Sequence, residues 1–250
     1  MKEATYLTII DEFDRWAGQY GRICTRGCSC CCTGSVTITA LEGERILDFA
    51  VKNGMEQWLA DRLRQPVQTR RLRMTTNEFA RACLSGQEAA PGTCEKLTPC
   101  PFLADDICRV YPVRPFSCRC FISISRCSAT RPAQVDQLYL SASTAVLQLI
   151  EHLGQKQYWG IMTDVLLSLL DISTYQGIAT ALADPARVME GRLRTLTARP
   201  LPGFLFTEEE GQHLQPLLHA IFSSRIGSVS VEDVLNGRIP PENGPGAQTI

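Results

Sequence analysis

Cys24-Thr-Arg-Gly-Cys28-Ser-Cys30-Cys31-Cys32 places five thiols within nine residues. No helix stripe, strand alternation or turn preference calls for sulfur at that density. The stretch therefore reads as thiols that are bound, bridged or oxidised. Three adjacent cysteines argue against simple bridging, because their side chains diverge and a disulfide needs close, correctly aimed Cβ atoms.

Seven further cysteines follow at Cys83, Cys94, Cys100, Cys108, Cys118, Cys120 and Cys127, so all twelve fall between positions 24 and 127. A tetrahedral thiolate site needs four sulfurs at about 2.3 Å from a zinc ion. Cys28-x-x-Cys31 is a pair whose spacing wraps backbone around a metal, and Cys24 and Cys32 lie close enough to join it. A cubane iron–sulfur cluster takes four cysteines at similar spacing, and Cys100-Pro101 is reminiscent of cluster-binding loops. One such site uses four sulfurs; two sites, or one polynuclear site, would use eight or more. Cys83 is expected to be a buried core thiol. Cys30, Cys94, Cys120 and Cys127 are candidate additional ligands. His152, His213 and His219 all lie in the later half and read as ordinary surface or core residues. An all-sulfur site suits zinc or iron–sulfur and disfavours magnesium or calcium. Packed thiolates repel one another, and Arg26, Arg114 and Arg119 are the candidate charge-balancing residues.

The rest of the 250-residue chain reads as mainly α, a helical scaffold with a cysteine-rich, metal-organised loop region in its N-terminal half. Tyr6, Ile9, Ile10, Phe13 and Trp16 predict a helix over 3–19. Ser35 to Thr39 is β-branched and reads as a short strand. Capping boxes at Thr39–Glu42 and Thr75–Glu78 open helices over 40–53 and to about Leu84, with another helix over 55–65 between them. Residues 86–132 are rich in Gly, Pro and Cys and need something other than regular structure to order them. Helices are expected over 134–153, 155–171 and 174–190, the last breaking at Pro185. Thr207 and Ser230 cap two more. The division expected is 1–131 for the cysteine cluster, 132–238 for a helical region and 239–250 for a disordered tail.

The formal net charge is −1 with a pI near 6.3, which gives no footprint for nucleic acid. The basic run Arg62, Arg64, Arg70, Arg71 and Arg73 reads as a solvated helix end and loop. No window is long and apolar enough to span a membrane, and acidic residues interrupt any secretory leader. A cytoplasmic protein with reduced thiols is expected, with a metal ion as partner and the helical half as a candidate protein-docking surface.

Cys24-x3-Cys28-x2-Cys31-Cys32, Cys100-Pro-Phe-Leu, Cys108-x2-Tyr111, Arg114-Pro115 and Cys118-Arg119 together resemble the bacterial CxxCxxCC cysteine-cluster family, described as a zinc- or iron-chelating domain. The resemblance covers about residues 20–128. It departs in the first spacing, three residues in place of two, and in Cys30, an extra thiol. The resemblance implies Cys24, Cys28, Cys31, Cys32, Cys100, Cys108 and Cys118 as metal ligands. Flagellin lysine N-methylases carry a related cluster. The function expected is therefore a cysteine-cluster protein holding zinc or an iron–sulfur or iron centre. The alternatives are a cluster-dependent enzyme, lysine N-methylase-like or redox, and a metal chaperone or sensor. Cys24-x3-Cys28-x2-Cys31 also has radical-cluster spacing, but no barrel-like alternation of strands and helices follows it.

Overall fold

The structure, a computed structural model, describes residues 1–25, 27–67, 71–90, 98–128 and 130–238. Arg26, Arg70, Cys94 and the expected tail at 239–250 lie outside the described residues.

Helix α1 (Lys2–Ala17) turns Tyr6, Ile9, Ile10 and Phe13 inward, as their spacing requires. The cysteine loop follows, then strand β1 (Thr37–Thr39) and helix α2 (Ala40–Lys52). Thr39 ends the strand and caps the helix, in the expected box with Glu42. Helices α3 (Glu56–Arg64) and α4 (Thr76–Leu84) come next, the latter with its box at Thr75 and Glu78.

The loop-rich stretch holds short pieces. Strands β2 (Leu103–Ala104) and β3 (Ile107–Cys108) form a two-residue hairpin whose turn residues, Asp105 and Asp106, have φ of 50° and 61°. That left-handed pair matches the twist of the strands, and Asp tolerates it better than most residues. A 3-10 turn at Tyr111–Val113 and the one-turn helix α5 (Phe116–Arg119) follow.

Helix α6 (Gln137–Leu153) is followed by strand β4 (Tyr158–Ile161) and helix α7 (Met162–Leu169). The single helix expected over 155–171 is thus corrected to a strand and a helix. Lys156, at φ 68°, turns the chain out of α6. Tyr158, Trp159 and Ile161 then find strand partners on both sides, which outweighs their helical spacing. Helix α8 (Gln176–Leu182) and helix α9 (Pro185–Arg194) meet at the expected break, where Asp184 caps α9 and Pro185 takes its first position. Strand β5 (Leu196–Thr197), helix α10 (Glu208–Ser223), strands β6 (Arg225–Ile226) and β7 (Val229–Ser230) and helix α11 (Val231–Leu235) complete the chain.

The largest sheet has the order β1-β4-β5, all antiparallel, with Ile38 opposite Gly160 and Trp159 opposite Leu196. It joins the first half of the chain to the second. So does α1, which packs on α6 and α10. Two apolar clusters form the interior. One gathers α1, α6, α10 and α11 around Phe13, Leu149, Leu214 and Phe116. The other gathers α2, α3, α7 and α8 around Ile46, Leu59, Leu166 and Phe102. The cysteine-rich stretch contributes Phe102 and Val110 to the second and Phe116, Cys120 and Ile122 to the first. It is therefore pinned across both.

Among the described residues no single helix is long and apolar enough to cross a membrane. The bent pair formed by α7 with residues 173–182 passes by composition, but every residue of α7 is buried within the protein, its apolar ones in the second core.

Candidate metal centre

Backbone pairing brings the distant thiols together. The Cys28 N–H donates to the Thr25 carbonyl and the Cys32 N–H to that of Ser29, so the cysteine loop is two successive turns. Gly27, at φ 95°, permits the first of them. Beyond the turns the chain zips onto a remote segment. The Cys100 N–H donates to the Cys32 carbonyl at 3.0 Å, Thr33 bridges Pro99, and the Gly34 N–H donates to the Thr98 carbonyl at 2.9 Å. Cys32 is thereby set beside Cys100. The β2–β3 hairpin folds Cys108 back opposite Leu103. Its tip is tied to the cysteine loop by the Ser29 hydroxyl, which donates to Asp106 at 2.6 Å.

Cys118 is delivered by α5, and α5 is held by a buried carboxylate. Glu42 is 3% exposed. It accepts the Thr39 N–H at 2.9 Å and the Thr39 hydroxyl at 3.0 Å, the Tyr6 hydroxyl at 3.2 Å and the Phe116 N–H at 2.9 Å. A capping-box glutamate ordinarily sits at the surface; here it knots α1, the β1–α2 corner and the start of α5. Burial raises its pKa, and the amide donors offset part of that rise. The Ser117 hydroxyl adds a second tie, donating to the Thr37 carbonyl at 2.8 Å. The sequence shows the box but not this burial, because Tyr6 and Phe116 are far from Glu42 along the chain.

The thiols fall into two groups. In the first, Cys32 feels Cys118, Cys100 and Cys108, each of which opposes its ionisation. Burial pushes Cys100 up to about 11 and also raises Cys108 and Cys118, with Cys118 feeling both of the others. Cys100 and Cys108 pack against the second core. Cys32 differs from these three: its hydrogen bond with the adjacent Cys31 thiol lowers its pKa and raises that of Cys31. In the second group, the sulfurs of Cys28, Cys30 and Cys127 all lie within 4.8 Å of one another. Among the described residues no other set of three or more Cys, His, Asp or Glu side chains is drawn that close. Cys24 borders this group; burial, then Cys28 and Cys31, push its pKa up, opposed by the Ser123 backbone. The cysteine-rich region thus contains a thiol group able to hold a metal ion, and all described cysteines are unpaired thiols.

The remaining described cysteines belong to neither group, although Cys120 is near enough to Cys118 to oppose its ionisation. Cys120 is buried in the first core, its thiol 3.7 Å from the Ser117 carbonyl, and burial pushes its pKa up to about 12. It packs as a small hydrophobe. Cys83, expected in the core, is instead exposed on α4. Asn77 and Ala80 are the buried residues of α4, and its last turn, Cys83 and Leu84 included, projects beyond the core into solvent.

Of the arginines, Arg114 lowers the cost of ionising Cys108 and lies 3.9 Å over the Tyr111 ring. Arg119 pairs with Asp14 of α1. Arg22 acts on Cys24. His152 is engaged elsewhere, accepting the Leu201 N–H at 3.0 Å and donating to the Leu235 carbonyl at 2.8 Å. His213 bonds within α10, and His219 is exposed on the same helix. The donor set is therefore sulfur, which fits thiophilic metals and not hard oxygen-seeking ions. No family model, curated protein or solved structure matches this chain, so the chemistry of the centre is read from its own thiols.

Proposed function

We propose that the chain is a thiolate metal-binding protein whose principal centre is formed by Cys32, Cys100, Cys108 and Cys118. The supporting observation is their gathering from three separate segments into one partly buried place, set by the backbone pairing of 32–34 with 98–100 and by the hairpin, where Cys100, Cys108 and Cys118 all oppose ionisation of Cys32. Such a grouping is unfavourable as thiolates alone and becomes favourable when a cation takes up the charge. These four are also positions implied by the resemblance to the cysteine-cluster family. The ion is zinc or part of an iron–sulfur centre.

The protein's part is positional. The Cys32–Cys100 zip, the hairpin and the Glu42 anchor hold three segments in register, and Arg114 offsets charge at Cys108. A bound metal would supply the ordering energy that this loop-rich stretch lacks. Anaerobic purification with metal analysis and a visible spectrum tests the reading. Stoichiometric zinc or iron is expected, with iron–sulfur absorption if the polynuclear form is right. Cys108→Ser is expected to lose that metal. A folded, fully reduced preparation that takes up neither metal sinks the proposal.

A further inference from the structure

Cys28 and Cys30 flank Ser29, whose hydroxyl is fixed on Asp106 at 2.6 Å. That tether sets the two thiols at the tip of the cysteine loop, where both are exposed. Cys127 reaches them from 97 residues away, and the Cys30 sulfur lies 3.7 Å from the Cys127 carbonyl oxygen. Cys127 is steadied by the next residue, Ser128, which exchanges backbone hydrogen bonds with Arg131 at 2.8 and 3.2 Å. The three sulfurs lie within 4.8 Å of one another, and no fourth Cys, His, Asp or Glu joins them among the described residues. Sulfurs bound at about 2.3 Å to one tetrahedral ion stand roughly 3.8 Å apart, so a small contraction closes the set.

We infer that Cys28, Cys30 and Cys127 form a second metal site, separate from the buried centre, that takes a single zinc-class divalent ion. Three protein ligands leave one position of a tetrahedral ion open. Because two of the three thiols are exposed, that position faces solvent. Water or an external thiol completes the shell, and the ion exchanges readily with the surroundings. The assignment stands independently of the buried centre, because it uses none of Cys32, Cys100, Cys108 or Cys118.

The test uses the full reduced chain under anaerobic conditions. Zinc is added, and its release to a chromophoric chelator is followed for wild type, Cys30→Ser, Cys127→Ser and Cys108→Ser, with circular dichroism confirming the fold of each. Wild type is expected to release one equivalent quickly. Cys30→Ser and Cys127→Ser should each lose that fast equivalent while keeping any slow one, and Cys108→Ser should keep it. If the buried-centre reading fails, neither a slowly released zinc nor bound iron is found, but the fast equivalent remains. Should a variant misfold, zinc protection of Cys28, Cys30 and Cys127 from alkylation in wild type, read by peptide mapping, decides instead. A fast equivalent that survives both Cys30→Ser and Cys127→Ser, or equal alkylation with and without zinc, overturns the assignment.

Discussion

Glu42 shows how much one buried side chain can organise. It receives hydrogen bonds from Tyr6, Thr39 and Phe116, so its removal leaves donors on three segments unsatisfied. Glu42→Ala is expected to destabilise by about 2–4 kcal/mol, and Glu42→Gln by less, since an amide oxygen still accepts. Urea denaturation measures both, and equal stability of Glu42→Ala and wild type would refute the anchoring role. Asp164 offers a pH test away from the thiols. It is 5% exposed on α7, and burial pushes its pKa from 3.8 to about 6, opposed by Arg194 and Arg187. Because the folded value lies above the unfolded one, the folded state holds the proton more tightly. This contribution is fully present below pH about 4 and is lost as pH rises through about 6. Asp164→Asn is expected to flatten that slope and to gain on the order of 2 kcal/mol near neutral pH. Denaturation midpoints at pH 5 and pH 8 show whether it does; an unchanged slope would assign the pH dependence to other groups.

At the scale of elements, the scaffold depends on close helix contacts. Gly191 of α9 faces α7, where an added Cβ would lie 2.6 Å from the Leu167 Cβ and 3.0 Å from the Asp164 carbonyl oxygen. Alanine ordinarily favours a helix by about 1 kcal/mol over glycine. Here overpacking outweighs that gain, and Gly191→Ala is expected to cost about 1–3 kcal/mol, visible as a lowered thermal midpoint. A raised midpoint would show that α7 and α9 part easily. Most helices were legible in the sequence because their signals are local. Tyr6, Ile9, Ile10 and Phe13 define a face, Thr39–Glu42 and Thr75–Glu78 define starts, and Pro185 defines a break. Residues 158–161 were not legible as a strand. Their apolar run suits a buried helix equally well, and the deciding partners, 37–39 and 196–197, are remote in the chain.

Across the whole molecule, the cysteine-rich stretch is fastened to two cores yet holds little regular structure of its own. Metal removal is therefore expected to act locally. Amide hydrogen exchange should rise at Cys100, Leu103 and Arg109, whose N–H groups bond across this stretch, while α6 and α7 stay protected. Exchange that rises uniformly would mean that the metal holds the entire fold, and no rise would remove it as an ordering element.

The sequence by itself determined the helical class, most helix starts and stops, and the presence of a thiol site, because periodicity, caps and composition are properties of neighbouring residues. Only the tertiary structure decided which thiols meet. Cys24 to Cys32 reads as one ligand set, yet the turns at Thr25–Cys28 and Ser29–Cys32 send its members two ways. Cys32 joins Cys100, Cys108 and Cys118, whereas Cys28 and Cys30 meet Cys127. The division follows from backbone pairing between 32–34 and 98–100, and from a carboxylate buried by residues far from it in sequence. Neither leaves a local signal, because each pairing is fixed by contacts between segments that the chain order keeps apart.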